Sequence, residues 1–195
     1  MNDDAPSASG PSHRDELRDL LLRRSLFQGD FTLASGAHST YYVDARRTTM
    51  SAQGQFLVGE VALRAIEKAG WAPEWVGGLT MGADPIAYAV AHRSWLEGRP
   101  IQAYSIRKKA KGHGTGRRIE GGLPEGASVV VVEDAMTSGG SALEAIRALE
   151  NHGARILGVL TVVDREEGGR ERIREAGYDV VALFTARELL DAAPA

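Results

Sequence analysis

Val129-Val130-Val131-Val132 constrains the fold of this chain more than any other segment. Four consecutive β-branched residues without polar alternation predict a strand covered on both faces, as in a parallel sheet between two helix layers. Glu133 and Asp134 stand at its carboxyl end, followed by Ala135-Met136-Thr137-Ser138-Gly139-Gly140-Ser141 and an amphipathic helix from about Ala142. In open α/β sheets, ligands bind beyond the carboxyl ends of the strands. A turn that offers backbone N–H groups, Thr and Ser hydroxyls and the positive end of a helix suits a phosphate monoester. The acidic pair does not suit phosphate. Carboxylates accept hydrogen bonds from sugar hydroxyls, or they hold a metal ion. The ligand inferred from the whole segment is a ribose 5-phosphate unit gripped at both ends. A generic strand-to-helix turn needs glycine but neither two acids nor three hydroxyls.

The 195 residues suit one domain with a real core. With 43% hydrophobic and 25% charged residues the chain has the composition of an ordinary soluble globule. A net charge of −3 gives no reason to expect nucleic acid as a partner. The absence of cysteine excludes disulfides and thiolate metal sites and fits a cytoplasmic location. No run is long and apolar enough to span a membrane, and Met1 to Ser12 lacks a signal pattern and is expected to be a disordered tail.

Apolar spacing predicts helices over 13–25, 51–69, 84–96, 141–151 and 169–176. Strands are predicted over 75–79, 101–106, 129–132, 156–163 and 180–183. This alternation means a parallel sheet with right-handed crossovers. Residues 25–48, with short strands at 31–33 and 41–43, do not fit the rhythm and are expected to form a separate hood over a core of about 50–190. Trp71, Trp75 and Trp95 are expected to pack, and His13, His38, His92 and His152 show no metal-ligand spacing.

Between the strands ending near Ile106 and starting near Ser128 runs Arg107-Lys108-Lys109-Ala110-Lys111-Gly112-His113-Gly114-Thr115-Gly116-Arg117-Arg118. Six cations, one histidine and three alternating glycines, without apolar periodicity, describe either a solvated charge run or a functional loop. Beside a phosphate turn, mobile cations could neutralise a departing pyrophosphate and exclude water.

The acidic pair with Thr-Ser-Gly-Gly-Ser resembles the phosphoribosyl pyrophosphate (PRPP) loop of the type I phosphoribosyltransferases. Arg107 to Gly114 with Ile119-Glu120-Gly121 resembles the basic catalytic loop of orotate phosphoribosyltransferases. Phe31-Thr32-Leu33-Ala34-Ser35-Gly36, with Ser39, Tyr41, Tyr42, Asp44 and Arg46, is similar to that family's N-terminal motif, and Val163-Asp164-Arg165 to a late strand end. The resemblance covers about residues 14 to 190. It implies a mostly parallel sheet flanked by helices, with residues 13–195 as one phosphoribosyltransferase domain carrying a small hood and a mobile basic loop.

It further implies transfer of the phosphoribosyl group from PRPP to orotate by a pentosyltransferase. PRPP would be bound by Arg107, Lys108, Lys111, His113, Glu133, Asp134, Ala135, Met136, Thr137, Ser138, Gly139, Gly140 and Ser141. Lys111 and His113 would be the catalytic pair. Thr137, Arg165, Tyr42 and Val43 would meet orotate, and Gly78-Leu79-Thr80-Met81-Gly82 would form the pyrophosphate-side turn. Mg²⁺ would arrive on PRPP rather than in a protein metal site. A homodimer, with the loop acting across the interface, is also implied. Ala34 and Met81 stand where many members carry lysine and Val43 where they carry an aromatic residue; Arg46, Arg47 or the basic loop are the candidates to compensate. Taken alone, Arg165 could equally bridge to Glu166 or Glu167, and Asp44 could simply pair with Arg46. The alternatives for function are transfer to a different base and, further off, a PRPP-sensing regulator.

Overall fold

The computed structural model describes residues 11–32, 38–108 and 118–194. Helix α1 (His13–Arg24) begins on Ser12, whose hydroxyl accepts from the Asp15 N–H while the Asp15 carboxylate reaches back, a reciprocal cap. Strands β1 (Leu26–Thr32) and β2 (His38–Val43) pair antiparallel as a separate two-stranded hood. A short turn of helix, α2 (Arg46–Thr49), leads into α3 (Ala52–Lys68). Then follow β3 (Trp75–Leu79), α4 (Ala83–Leu96), β4 (Gln102–Ile106), β5 (Ile119–Glu120), β6 (Ser128–Met136), α5 (Gly140–His152), β7 (Arg155–Asp164), α6 (Gly169–Glu175), β8 (Val180–Thr185) and α7 (Ala186–Ala192).

The main sheet has the order β5-β4-β3-β6-β7-β8, with β5 antiparallel at one edge and the other five strands parallel. The valine run of β6 sits at its centre, and its alternation sorts the two cores. Val130 and Val132 pack with α1, α3 and α4, whereas Val129 and Val131 pack with Ala145, Ile146 and Leu149 of α5 and Ile173 of α6. All four valines are buried, as a strand between two helix layers requires. No helix among the described residues is long and apolar enough to cross a membrane.

Most predicted elements appear within a few residues of their expected bounds. The valine strand is longer than its pattern suggests. It runs to Met136, with Glu133 opposite Thr161 and Met136 opposite Asp164, so the acidic pair lies within the strand rather than after it. Parallel pairing to β7 supplies the backbone partners that hold those polar residues extended. Trp71 packs as expected, against Gly158, where any Cβ would strike its ring. Trp95 does not pack; it is 70% exposed on the outer side of α4.

Gly77 of β3 lies directly against Tyr104 of β4. A Cβ there would lie 2.1 Å from the Tyr104 carbonyl oxygen and 2.7 Å from the Tyr104 ring. Gly77→Ala is expected to cost about 1–3 kcal/mol, because backbone on the neighbouring strand must move; an unchanged urea midpoint would contradict this.

Candidate functional site

The chain turns one way after β3, toward β4, and the other way after β6, toward β7. The carboxyl ends of β3 and β6 therefore diverge, which in a doubly wound sheet opens a crevice. A cleft of about 400 Å³ lies there. It is lined by Leu79 to Ala83 after β3, Val132 to Asp134 of β6, Ser141, Ala142 and Ala145 of α5, Lys108 after β4, and Arg46 from beneath the hood.

Glu133 is 8% exposed, and its Oε2 has no hydrogen-bond partner. Burial, with the Asp134 and Asp164 charges adding to it and the Ser141 hydroxyl partly offsetting it, pushes the carboxyl up to about 8. Burial also raises Asp134, against the lowering effect of Arg46 and backbone N–H groups. Arg46 Nε lies 3.0 Å from Asp44 Oδ1 and 3.9 Å from Asp134 Oδ2, so the anticipated Asp44 pair extends into the cleft. Gly82 abuts the same carboxylate: a Cβ there would sit 2.3 Å from Asp134 Oδ1. An acidic pair with an unpartnered inward oxygen is built to receive donors, such as hydroxyls, or a cation.

The turn from Thr137 to Ser141 is pinned from behind. Gly139 adopts φ +71 and starts α5, which has no side-chain cap on its first turn. The start of α6 packs so tightly here that a Cβ on Gly169 would lie 2.4 Å from the Thr137 carbonyl oxygen. Arg172 Nη1 donates to the Ser138 carbonyl at 2.6 Å. Uncapped N–H groups at a helix start, fixed in place, form an anion site. Ser138, Gly140 and Ser141 are exposed and Thr137 is half-buried, whereas Met136 is fully buried and Ala135 remains in the strand. Of the predicted PRPP set, Met136 thus points into the core and could offer only backbone.

The pyrophosphate-side turn is tied by Asp84, which accepts from Thr80 Oγ1 at 2.5 Å and from the Ser105 hydroxyl. Met81 is 61% exposed at its tip. Arg107 pairs with Glu120 at 2.8 Å, and Lys108 reaches the cleft lining. Lys111 and His113 lie outside the described residues, as does Ala34.

Arg165 donates its backbone N–H to the Met136 carbonyl at 2.9 Å, which places it beside Thr137. Its guanidinium, buried, lies 5.0 Å from the centre of the Tyr41 ring. Strand alternation puts Ser39, Tyr41 and Val43 on the inner face of β2 and leaves Tyr42 outward, tilted on Phe31. Tyr42 is therefore not brought to Arg165, and Val43 is buried in the core. Tyr41, also part of the hood motif, is the residue of β2 that meets Arg165, as the period of two in that strand dictates.

Among the described residues no three His, Asp or Glu side chains cluster as a metal site. The carboxylates in the cleft are hard oxygen donors that suit Mg²⁺ once a ligand's own oxygens complete its shell.

Glu133 gives a pH prediction. The unfolded chain loses this proton near 4.5 and the folded protein near 8, so folding stability falls as pH rises between those values. Glu133→Gln removes the penalty. Its melting temperature relative to the parent should rise by more than about 2 °C between the acid and alkaline ends of that window; a pH-independent difference would refute the buried neutral carboxyl.

Residues 51–182 match the family model for the phosphoribosyl transferase domain. The orotate phosphoribosyltransferase of Aquifex aeolicus (strain VF5) is 44% identical over 180 residues, 91% of this chain and 97% of that protein. A crystal structure of Mycobacterium tuberculosis H37Rv orotate phosphoribosyltransferase superposes with a TM-score of 0.81 at 42% identity, covering 91% of this chain and 99% of the other. The same enzyme in complex with PRPP gives 0.78 at 39%, with coverage of 91% and 99%. With the cleft at the β3/β6 divergence and near-full-length similarity in hand, the chain belongs to the phosphoribosyltransferase family, alongside the orotate phosphoribosyltransferases.

Proposed function

We propose that this protein transfers the 5-phosphoribosyl group from PRPP to orotate, releasing pyrophosphate and forming orotidine 5′-monophosphate. The observation that carries the proposal is the presence, in one cleft, of the unpartnered Glu133 Oε2 and the uncapped start of α5. Glu133 and Asp134 accept from the ribose 2- and 3-hydroxyls, and the turn from Thr137 to Ser141 receives the 5-phosphate. Arg165, held by Tyr41 at the neighbouring strand end, receives the base together with Thr137.

In the reaction the ring nitrogen of orotate forms a bond to C1 of the ribose while the C1–oxygen bond to pyrophosphate breaks, through a transition state with oxocarbenium character. No protein nucleophile takes part. The protein contributes position and opposing charge: Arg107, Lys108, Lys111 and His113 on the pyrophosphate, Arg165 on the base. Mg²⁺ carried in with PRPP would add neutralising charge at the leaving group. Arg46, beside Asp134 and in the same cleft lining as Met81, replaces the cation missing there.

The protein acts as a cytoplasmic homodimer. Support for a second copy comes from the apolar side chains that the single chain leaves in solvent: Met50 and Met81 near the cleft, and Tyr88 and Trp95 along α4, spaced seven residues apart from Met81. Light scattering should return the mass of two chains, and a monomer at micromolar concentration would overturn this part of the reading.

Orotate absorbance should fall when PRPP and Mg²⁺ are added to the purified protein and stay constant without any one of them; no loss with orotate, but turnover of another base, would reassign the substrate. Lys111→Ala should lower kcat by more than about tenfold with the fold intact, as expected for a residue whose interaction is made in the transition state.

A further inference from the structure

We propose that Glu167 is a specificity-determining residue: its carboxylate serves as the resident counter-ion of Arg165 and is exchanged for the carboxylate of the incoming base. The inference rests on the reading of Arg165 as the base-side cation and adds to it a residue with no role so far.

Arg165 is 6% exposed, yet its guanidinium is poorly satisfied. Both Nε and Nη2 lack a hydrogen-bond acceptor. The nearest acidic oxygen is Glu167 Oε1, 2.8 Å from Nη2, close enough for an ion pair but angled wrongly for a hydrogen bond. Glu167 itself is about one-third exposed, so one end of the pair reaches solvent.

The neighbouring acids are otherwise engaged. Asp164 accepts from the Glu166 N–H at 2.9 Å and from Arg170 Nε at 3.0 Å. Glu166 takes φ +58, a left-handed conformation that costs a non-glycine residue about 1 kcal/mol or more. Its side chain turns outward, to accept from the Arg187 N–H at 3.2 Å. That reversal at Glu166 brings Glu167 back over Arg165. Strain at a ligand-facing turn is maintained where the surrounding structure over-determines it.

The energetic logic concerns desolvation. A buried guanidinium without an anion is costly, and Glu167 meets that need only in part. A base bearing a carboxylate can take over the pairing and also satisfy the two idle N–H groups, while Glu167 moves into water. A base lacking a carboxylate either finds Glu167 in its way or leaves Arg165 uncompensated. The exchange thus favours anionic bases and sets their affinity below what Arg165 alone would give.

The test is steady-state kinetics of the full chain carrying Glu167→Gln, with Glu167→Ala as the second variant. Removing the competing carboxylate should lower KM for orotate by about three- to fivefold, the range expected for an ion pair with one exposed partner. The KM for PRPP should stay within about twofold, and product inhibition by orotidine 5′-monophosphate should tighten in parallel with orotate. If Glu167 merely holds Arg165 in place, the sign reverses and KM for orotate rises; a rise or no change in the folded variants overturns the proposal. Glu166→Gln, one residue away and facing Arg187, should leave KM for orotate unchanged. Absence of orotate turnover by the parent protein would instead overturn the function on which this rests, so the two failures are distinguishable.

Discussion

Everything in the site depends on keeping one strand extended through residues that would prefer water. Strand β6 is buried on both faces over Val129 to Val132, then continues through Glu133 and Asp134 to Met136 because β7 pairs with it along that length. The apolar half anchors the strand between two helix layers. The polar half is thereby carried into a crevice that it could not reach from a loop.

The electrostatics follow from that placement. A carboxyl forced into a nearly dry position is held neutral, and its neighbour raises it further. Such a group is poorly solvated until something donates to it. The uncapped start of α5 has the opposite sign and the same lack of partners. The cleft therefore stores two unmet demands, for donors at one wall and for an anion at the other, and a sugar phosphate answers both. Arg165 repeats the theme beside Tyr41, with a cation whose resident partner satisfies it only partly.

Local signals were informative where one element decides the outcome. The valine run, the Gly-rich turn and the helical spacings are short-range patterns, and the structure realises them with small shifts at the ends. The separation of β1 and β2 from the main sheet was legible because their residues break the strand–helix rhythm. Other features depended on partners far away in sequence. The last four residues of β6 look like a loop until β7 pairs with them. Strand β5 consists of two residues whose pairing is defined by β4, and α2 and α7 are too short to announce themselves through periodicity. Which tyrosine of the hood meets Arg165 follows from alternation along β2, which turns Tyr41 inward and Tyr42 outward. Trp95 was expected to pack and instead faces solvent.

By itself the sequence determined a parallel sheet between helix layers, the strand buried on both its faces and the chemistry of the turn that follows it, because those depend on side-chain periodicity and on backbone freedom within a few residues. Only the tertiary structure decided which carboxyl is dry, which tyrosine underlies Arg165, and how Gly82 and Arg46 close on Asp134. Burial and charge proximity are properties of groups brought together from distant parts of the chain. No local pattern encodes the dielectric that such a group will meet.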